Sequence, residues 1–171
     1  MPVNEDPHIH QLVICSNVFV RKDGKILMIK RSPLKKYAPG FLAPLGGKVN
    51  QHESPFTAAE REVREEAGLQ IKNLRLEAVV TEIRPYRGEP YDWLVFHFTA
   101  DYAGGEIGKT EEGELVLLSE QEIFDSELFP SHREVVASVL NPADGTVFAR
   151  FEYDEQGEII QSTKIINECI L

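Results

Sequence analysis

Glu62, Glu65 and Glu66 stand at helical spacing in the stretch GKVNQHESPFTAAEREVREEAGL, residues 47–69, and are the side chains of this chain best placed for chemistry. Ser54 followed by Pro55 predicts an N-cap with proline at the first helical position, and Gly68 predicts the left-handed residue that ends the helix. At about 100° per residue, the three carboxylates fall within an arc of roughly 100°, rotated away from an apolar stripe of Phe56, Ala59, Val63 and Ala67. Like charges at (i, i+3) and (i, i+4) repel by about 0.2–0.5 kcal/mol per pair, so a cation is expected among them. Oxygen donors beside a glycine-containing loop suit Mg²⁺, or Mn²⁺, better than zinc. The plainer alternative is a solvated helix on which Arg61 and Glu65 form an exposed pair and nothing is bound.

The elements that must hold this helix are readable on either side of it. Residues 9–20, IHQLVICSNVFV, are rich in β-branched side chains, and RKDGK supplies a hairpin turn before the strand ILMIKR. The stretch SPLKKYAPGFLAPLGG predicts a loop that delivers the backbone of Gly46 and Gly47 to the carboxylate helix. Beyond the helix, LRLEAVVTEIR and YDWLVFHFTAD read as strands joined by the turn PYRGEP. In the second of these, Leu94, Phe96 and Phe98 share one face and Trp93, Val95 and His97 the other, so both faces of the sheet must be covered. A Gly-rich loop then leads to the strand ELVLL. Capping-box pairs, Ser119 with Glu122 and Ser131 with Glu134, predict a short helix and a longer one over about 132–140, which Asn141-Pro142 stops. A hairpin of residues 146–153 and 159–166 closes the chain. The order β-β-α-β-β-β-α-β-β predicts an α/β fold, an α/β/α sandwich on a mixed central β-sheet, built as one domain over residues 1–171.

Composition limits the function classes. A net charge of −10 argues against binding long nucleic acid through a broad basic face. Yet no Asp or Glu occurs from Gly24 to His52, where Lys25, Lys30, Arg31, Lys35, Lys36 and Lys48 all lie. That basic island beside an acidic metal site suits a small polyphosphate; for Lys35 and Lys36 the alternative is a solvated loop. The two cysteines, Cys15 and Cys169, form neither a disulfide framework nor a metal motif and fit a reducing compartment. The N-terminal MPVNEDPHIHQ lacks the apolar core of a signal peptide and no run is long enough for a membrane span, so no membrane partner and a cytoplasmic location are expected. The sequence leaves a homodimer open.

Gly47, Glu53, Arg61, Glu62, Val63, Glu65, Glu66, Gly68 and Leu69 reproduce a longer pattern: glycine, five residues, glutamate, seven residues, then R-E-aliphatic-x-E-E-x-G-aliphatic. This resembles the signature of the Nudix hydrolases. The resemblance implies a Nudix-type α/β/α sandwich and metal-dependent attack of water on a nucleoside diphosphate linked to some further group. It also implies that Glu62, Glu65 and Glu66 bind Mg²⁺ with the carbonyl of Gly46 or Gly47, that Arg61 orients Glu62, and that Glu53 ties the loop to the helix or touches a metal-bound water. The MutT-like, oxidised-purine triphosphate branch usually adds a fourth carboxylate after the central strands. Glu112 is its match here, with Glu111 and Glu114 as competitors, and the C-terminal hairpin TVFARFEYDEQGEIIQS is similar to that branch as well.

The catalytic set implied by this resemblance is therefore Glu65, Glu112, Arg61 and Glu53, and the metal set Gly46, Glu62, Glu65, Glu66 and Glu112. Arg31, Lys48, Tyr86 and Trp93 are candidates to bind a small nucleotide substrate, and Tyr37, Phe41 and Tyr91 are further candidates to stack on a base. The branch's base-reading residues are not matched, since Ala43, Ser131 and His132 stand at those places. Pro85 and Tyr86, 16 and 17 residues past Leu69, nearly meet the marks of ADP-ribose and dinucleoside polyphosphate subfamilies without deciding between them. A (d)NTP-type substrate is the expectation; ADP-ribose or dinucleotide hydrolysis, or a non-catalytic nucleotide sensor, are the alternatives. His97 reads as a hydrogen-bonded sheet histidine, and His52 and His132 carry no assignment.

Overall fold

The computed structural model describes residues 11–36, 38–86, 90–108, 110–142 and 145–168, with the side chains of 167 and 168 left aside. Tyr37 and Cys169 lie outside the described residues. The elements run β1 (Leu12–Lys22), β2 (Lys25–Arg31), β3 (Leu42–Ala43), β4 (Leu45–Lys48), α1 (Pro55–Ala67), β5 (Gln70–Ile83), β6 (Asp92–Gly104), β7 (Gly113–Leu118), α2 (Glu120–Phe124), α3 (Pro130–Leu140), β8 (Gly145–Tyr153) and β9 (Ile159–Glu168). The strands form one mixed sheet in the order β3-β2-β1-β6-β5-β8-β9, with β4 added to β1 and β7 to β2. The β1–β6 and β5–β8 pairs are parallel and the others antiparallel.

Alternation along β1 shows how the sheet divides its two cores. Val18 and Val20 point to the layer of α1, where they meet Leu27, Ile29, Ala59, Val63 and Phe98. Phe19 points the other way, into a core with Met28, Val80, Val95, Val135 and Val139, covered by α2 and α3. Helices therefore cover opposite faces, as the alternation in β6 predicts: Phe96 and Phe98 belong to the α1 side, Trp93 and Val95 to the α3 side.

Local signals act where they were expected at most helix ends and turns. Asp23 and Gly24 at the β1–β2 turn both take positive φ, the conformation a two-residue hairpin loop requires. Ser54 accepts from the Thr57 amide, and Gly68 ends α1 with φ 66°. At α2, Ser119 and Glu122 form the full reciprocal box. At α3 the structure departs from the expectation. The helix starts two residues earlier, with Phe129 as its N-cap and no side-chain cap, because Ser131 is fully buried and donates its hydroxyl to Glu82. On α1, Phe56 is half-exposed, edge-on to Phe98, and Ala58 is buried in its place.

Two strands, β3 and β4, form inside the stretch expected to be loop. Their short, Pro- and Gly-containing sequences carry little strand propensity; pairing with β2 and β1 makes them strands. Ser16 on β1 then donates to the Pro55 carbonyl at 2.7 Å, fastening the start of α1 to the same strand that carries β4. On the opposite face, the Arg21 guanidinium donates at 2.7 Å to the Leu140 carbonyl at the end of α3, where a cation offsets unsatisfied carbonyls. Phe19→Ala, which empties a fully buried site beneath α3, is expected to lower unfolding free energy by about 3–5 kcal/mol in urea denaturation.

Candidate active site

Arg61 is the hub of the loop–helix junction. Its Nε and Nη2 donate to the two oxygens of Glu53 at 2.9 and 2.8 Å, a bidentate pair. Nη2 also reaches the Lys48 carbonyl at 3.0 Å, and Nη1 donates to Glu62 at 2.7 Å and to Glu65 at 3.0 Å. Glu53 in turn accepts from the Asn50 amide at 3.0 Å. Arg61 and the Asn50 amide together hold the Glu53 carboxyl down at about 2. One guanidinium thus ties β4, the loop after it and two successive turns of α1 together.

Glu66 is in a different setting. It accepts from the Gly46 amide at 3.0 Å, yet burial pushes its carboxyl up to about 7, and the nearby charges of Glu112 and Glu62 add to the rise. Gly47 explains how the carboxylates come so near the strand. A Cβ on that residue would stand 2.5 Å from a Glu62 carboxyl oxygen, so the carboxyl keeps its present place only beside a glycine. Gly46 has φ 144° and is equally constrained on its other side, where a Cβ would meet the Ser16 carbonyl of β1 at 2.0 Å.

These groups open onto a cleft of about 430 Å³. Gly46, Gly47, Glu62, Glu66 and Glu112 line it, and Arg31 and Lys48 add cationic groups. Phe41, Tyr86, Trp93 and Phe129 supply aromatic surface, with Tyr86 set edge-on to Trp93 at 5.1 Å between centroids and tilted against Phe129 at 5.4 Å. The Lys48 ammonium lies 5.8 Å from the centre of the Trp93 ring. Lys35, from the basic island, forms a 2.5 Å ion pair with Glu112.

The sequence-predicted residues are brought together only in part. Glu65 projects outside the cleft with its side chain 58% exposed, held by Arg61, and Glu53 and Arg61 support the wall from behind. Among the described residues, no three acidic, histidine or cysteine side chains converge on one point at metal-ligand distance. The cation expected among the carboxylates is supplied in this arrangement by Arg61. Tyr91 is exposed and lies apart from the cleft. The donor set still fits a hard divalent cation. It consists of oxygens, and the buried Glu66 carboxyl, crowded by two further acids, gains from a positive charge beside it.

Three lining residues were not anticipated. Asn17 on β1 lies within 3.2 Å of the His132 Nε2, so the two can share a hydrogen bond. Glu82 on β5 is 3% exposed and burial pushes its carboxyl up to about 7. Burial also lowers His132 to about 4, keeping it neutral. His97, expected to be hydrogen-bonded, has no partner for either ring nitrogen among the described residues and stands edge-on to His132 at 5.5 Å. The available signal was a polar residue at an inward position of an apolar strand: Asn17 between Cys15 and Phe19, and Glu82 in phase with Ala78 and Val80. Cys15 also lines the cleft, and burial pushes its thiol to about 12, which leaves it a poor nucleophile.

Comparison with known proteins follows the same lines. The NUDIX domain sequence model matches residues 11–151. The chain is 28% identical over 147 residues to an uncharacterised Nudix hydrolase, YvcI, of Bacillus subtilis (strain 168), covering 85% of this chain and 89% of that one. It is 37% identical over 98 residues to the NAD-capped RNA hydrolase NudC of Chromobacterium violaceum, covering 57% of this chain but only 33% of that protein. In structure it is similar to the MutT protein of Bacillus halodurans, with a TM-score of 0.77, 22% identity, and coverage of 90% of this chain and 97% of that one.

Two outcomes are expected from this geometry. Gly47→Ala should displace Glu62 and cut turnover while circular dichroism stays unchanged. Because the folded Glu66 pKa lies above its unfolded value of 4.5, folding is favoured while the group holds its proton, and that stability is lost as pH rises from about 4.5 through about 7. In EDTA, Glu66→Gln should therefore melt higher than the wild type at pH 8, and the gap should close near pH 4.5.

Proposed function

The chain belongs to the Nudix family and is a pyrophosphohydrolase of that family, and we propose that it uses Mg²⁺ to cleave a nucleoside triphosphate or another nucleoside diphosphate-linked small molecule. The observation that carries this reading is the cleft itself. Buried and half-buried carboxylates, Arg31 and Lys48, and an aromatic wall share one opening. A polyphosphate needs the first two sets of groups and a nucleobase the third.

In this reading Glu62, Glu66 and the Gly46 carbonyl would hold the metal, joined by Glu112 and by Glu65 once it turns in from Arg61. A divalent ion bound there neutralises charge on the attacking and leaving oxygens of the anhydride. Glu112, which lines the cleft, and Glu65, once it turns in from the outward position in which Arg61 holds it, would be the carboxylates to take the proton from the attacking water. Arg61 acts through others: clamped by Glu53, it orients Glu62 and Glu65 and keeps β4 against α1. Arg31 and Lys48 offset phosphate charge. Tyr86 and Trp93 give the base an apolar surface to lie against.

A second reading is favoured by the named activity of the NudC relatives: a dinucleotide-type diphosphate, of the kind found in an NAD cap, in place of a triphosphate. The net charge of −10 favours the small molecule over a long RNA.

Phosphate or nucleotide release from a panel of nucleoside triphosphates, ADP-ribose, NAD and dinucleoside polyphosphates, with and without Mg²⁺, tests both readings. Release that is unaffected by EDTA, or absent across the panel, would refute the proposal. On the best substrate, Glu65→Gln is expected to lower kcat by about 10²–10⁴-fold if it is the base. Glu112→Gln should cost less, and Arg61→Lys should cost about 10–100-fold by loosening the carboxylates it orients.

A further inference from the structure

Glu82 has no part in the metal and phosphate chemistry, yet it is built into the same cleft. It stands directly across the β5–β6 ladder from Trp93, on the face that carries Val80 and Val95. Trp93 is flanked by Tyr86, and Tyr86 by Phe129, so Glu82 sits at the foot of the aromatic wall. Glu82 and Glu66 both line the one opening.

A carboxyl at 3% exposure is costly unless its oxygens find partners. Ser131 donates to one oxygen, Oε1. Ser131 is the one hydrogen-bond donor shown for this carboxyl among the described residues, and the residue lines the cleft. A purely structural tie to α3 would be served as well by an amide, without the desolvation of an acid. The departure of α3 from its expected start follows from the same contact, since Ser131 serves Glu82 and not the helix cap.

We propose that Glu82 selects the heterocycle of the substrate, its second carboxyl oxygen accepting from a ring that lies against Trp93 and presents adjacent N–H donors. Ser131 fixes the carboxyl in that orientation, and the Asn17–His132 pair supplies further polar atoms in the same cleft. The inference rests on the reading of the cleft as a nucleotide site. It adds which edge of the base is read and by which residue.

Trp93 is the single tryptophan of the chain, so its fluorescence reports occupancy of the cleft without any need for turnover. Titration with guanosine, inosine and adenosine 5′-monophosphates in EDTA compares a ring with adjacent N1–H and 2-amino donors, one that keeps only N1–H, and one that lacks N1–H. The wild type is expected to bind them in that order of decreasing affinity. In Glu82→Gln the guanosine-to-adenosine ratio should shrink by about tenfold, the melting temperature being no lower than that of the wild type. An equal loss for all three nucleotides, an unchanged ratio in the variant, or no preference in the wild type would overturn the proposal. Mg²⁺-dependent hydrolysis by the same wild-type preparation separates the two claims: hydrolysis with a ratio indifferent to Glu82 refutes the base contact alone, while no hydrolysis across the nucleotide panel refutes the function beneath it.

Discussion

The site depends on a short strip of backbone that carries no side chains. Gly46 and Gly47 lie between the Ser16 carbonyl of β1 and the carboxyl of Glu62, with no room for a Cβ on either side. The Gly46 amide satisfies one oxygen of Glu66, so the same strip that admits the carboxylates also anchors one of them. A Cβ at Gly46 would collide with the backbone of β1, and one at Gly47 would push the Glu62 carboxyl from its place. The sheet pairing of so weak a strand-former is itself held by its neighbours, chiefly β1 and the clamp of Arg61 on the Lys48 carbonyl.

Charge balance explains the division of labour among the acids. Arg61 satisfies Glu53 fully and shares itself between Glu62 and Glu65, while Lys35 takes Glu112. Glu66 accepts from the Gly46 amide, and burial raises its carboxyl's affinity for a proton. Acids this close to one another need positive charge, and the family's divalent metal would compete for it with Arg61 and Lys35. Arg61 thus holds three acids in place without itself lining the cleft.

The cleft brings carboxylates and cations together with rings and the buried polar groups Asn17, His132 and Glu82. All of these residues come from distant parts of the chain and meet because β1 lies parallel to β6, and β5 lies antiparallel beside β6. Among the described residues no helix is long and apolar enough to cross a membrane.

Much of this was legible along the chain because the signals are local. The N-cap at Ser54, the left-handed Gly68, the Asp23-Gly24 turn and the capping box at Ser119 each depend on a few neighbouring residues, and each appears as read. The spacing of the box likewise brought Glu62, Glu65, Glu66, Arg61 and Glu53 into one neighbourhood, and the two-sided apolar pattern of β6 announced helices on both faces. Four features depended on contacts far apart in sequence. β3 and β4 are strands only because β2 and β1 pair with them. Ser131 left its capping role for Glu82, 49 residues away. Glu65 turned outward to Arg61 and not into the cleft. The cleft's Asn17–His132 contact joins residues 115 apart. Spacing along a helix determines which side chains share a face, but which of them reach a common point depends on what packs against that face, and the sheet decides that.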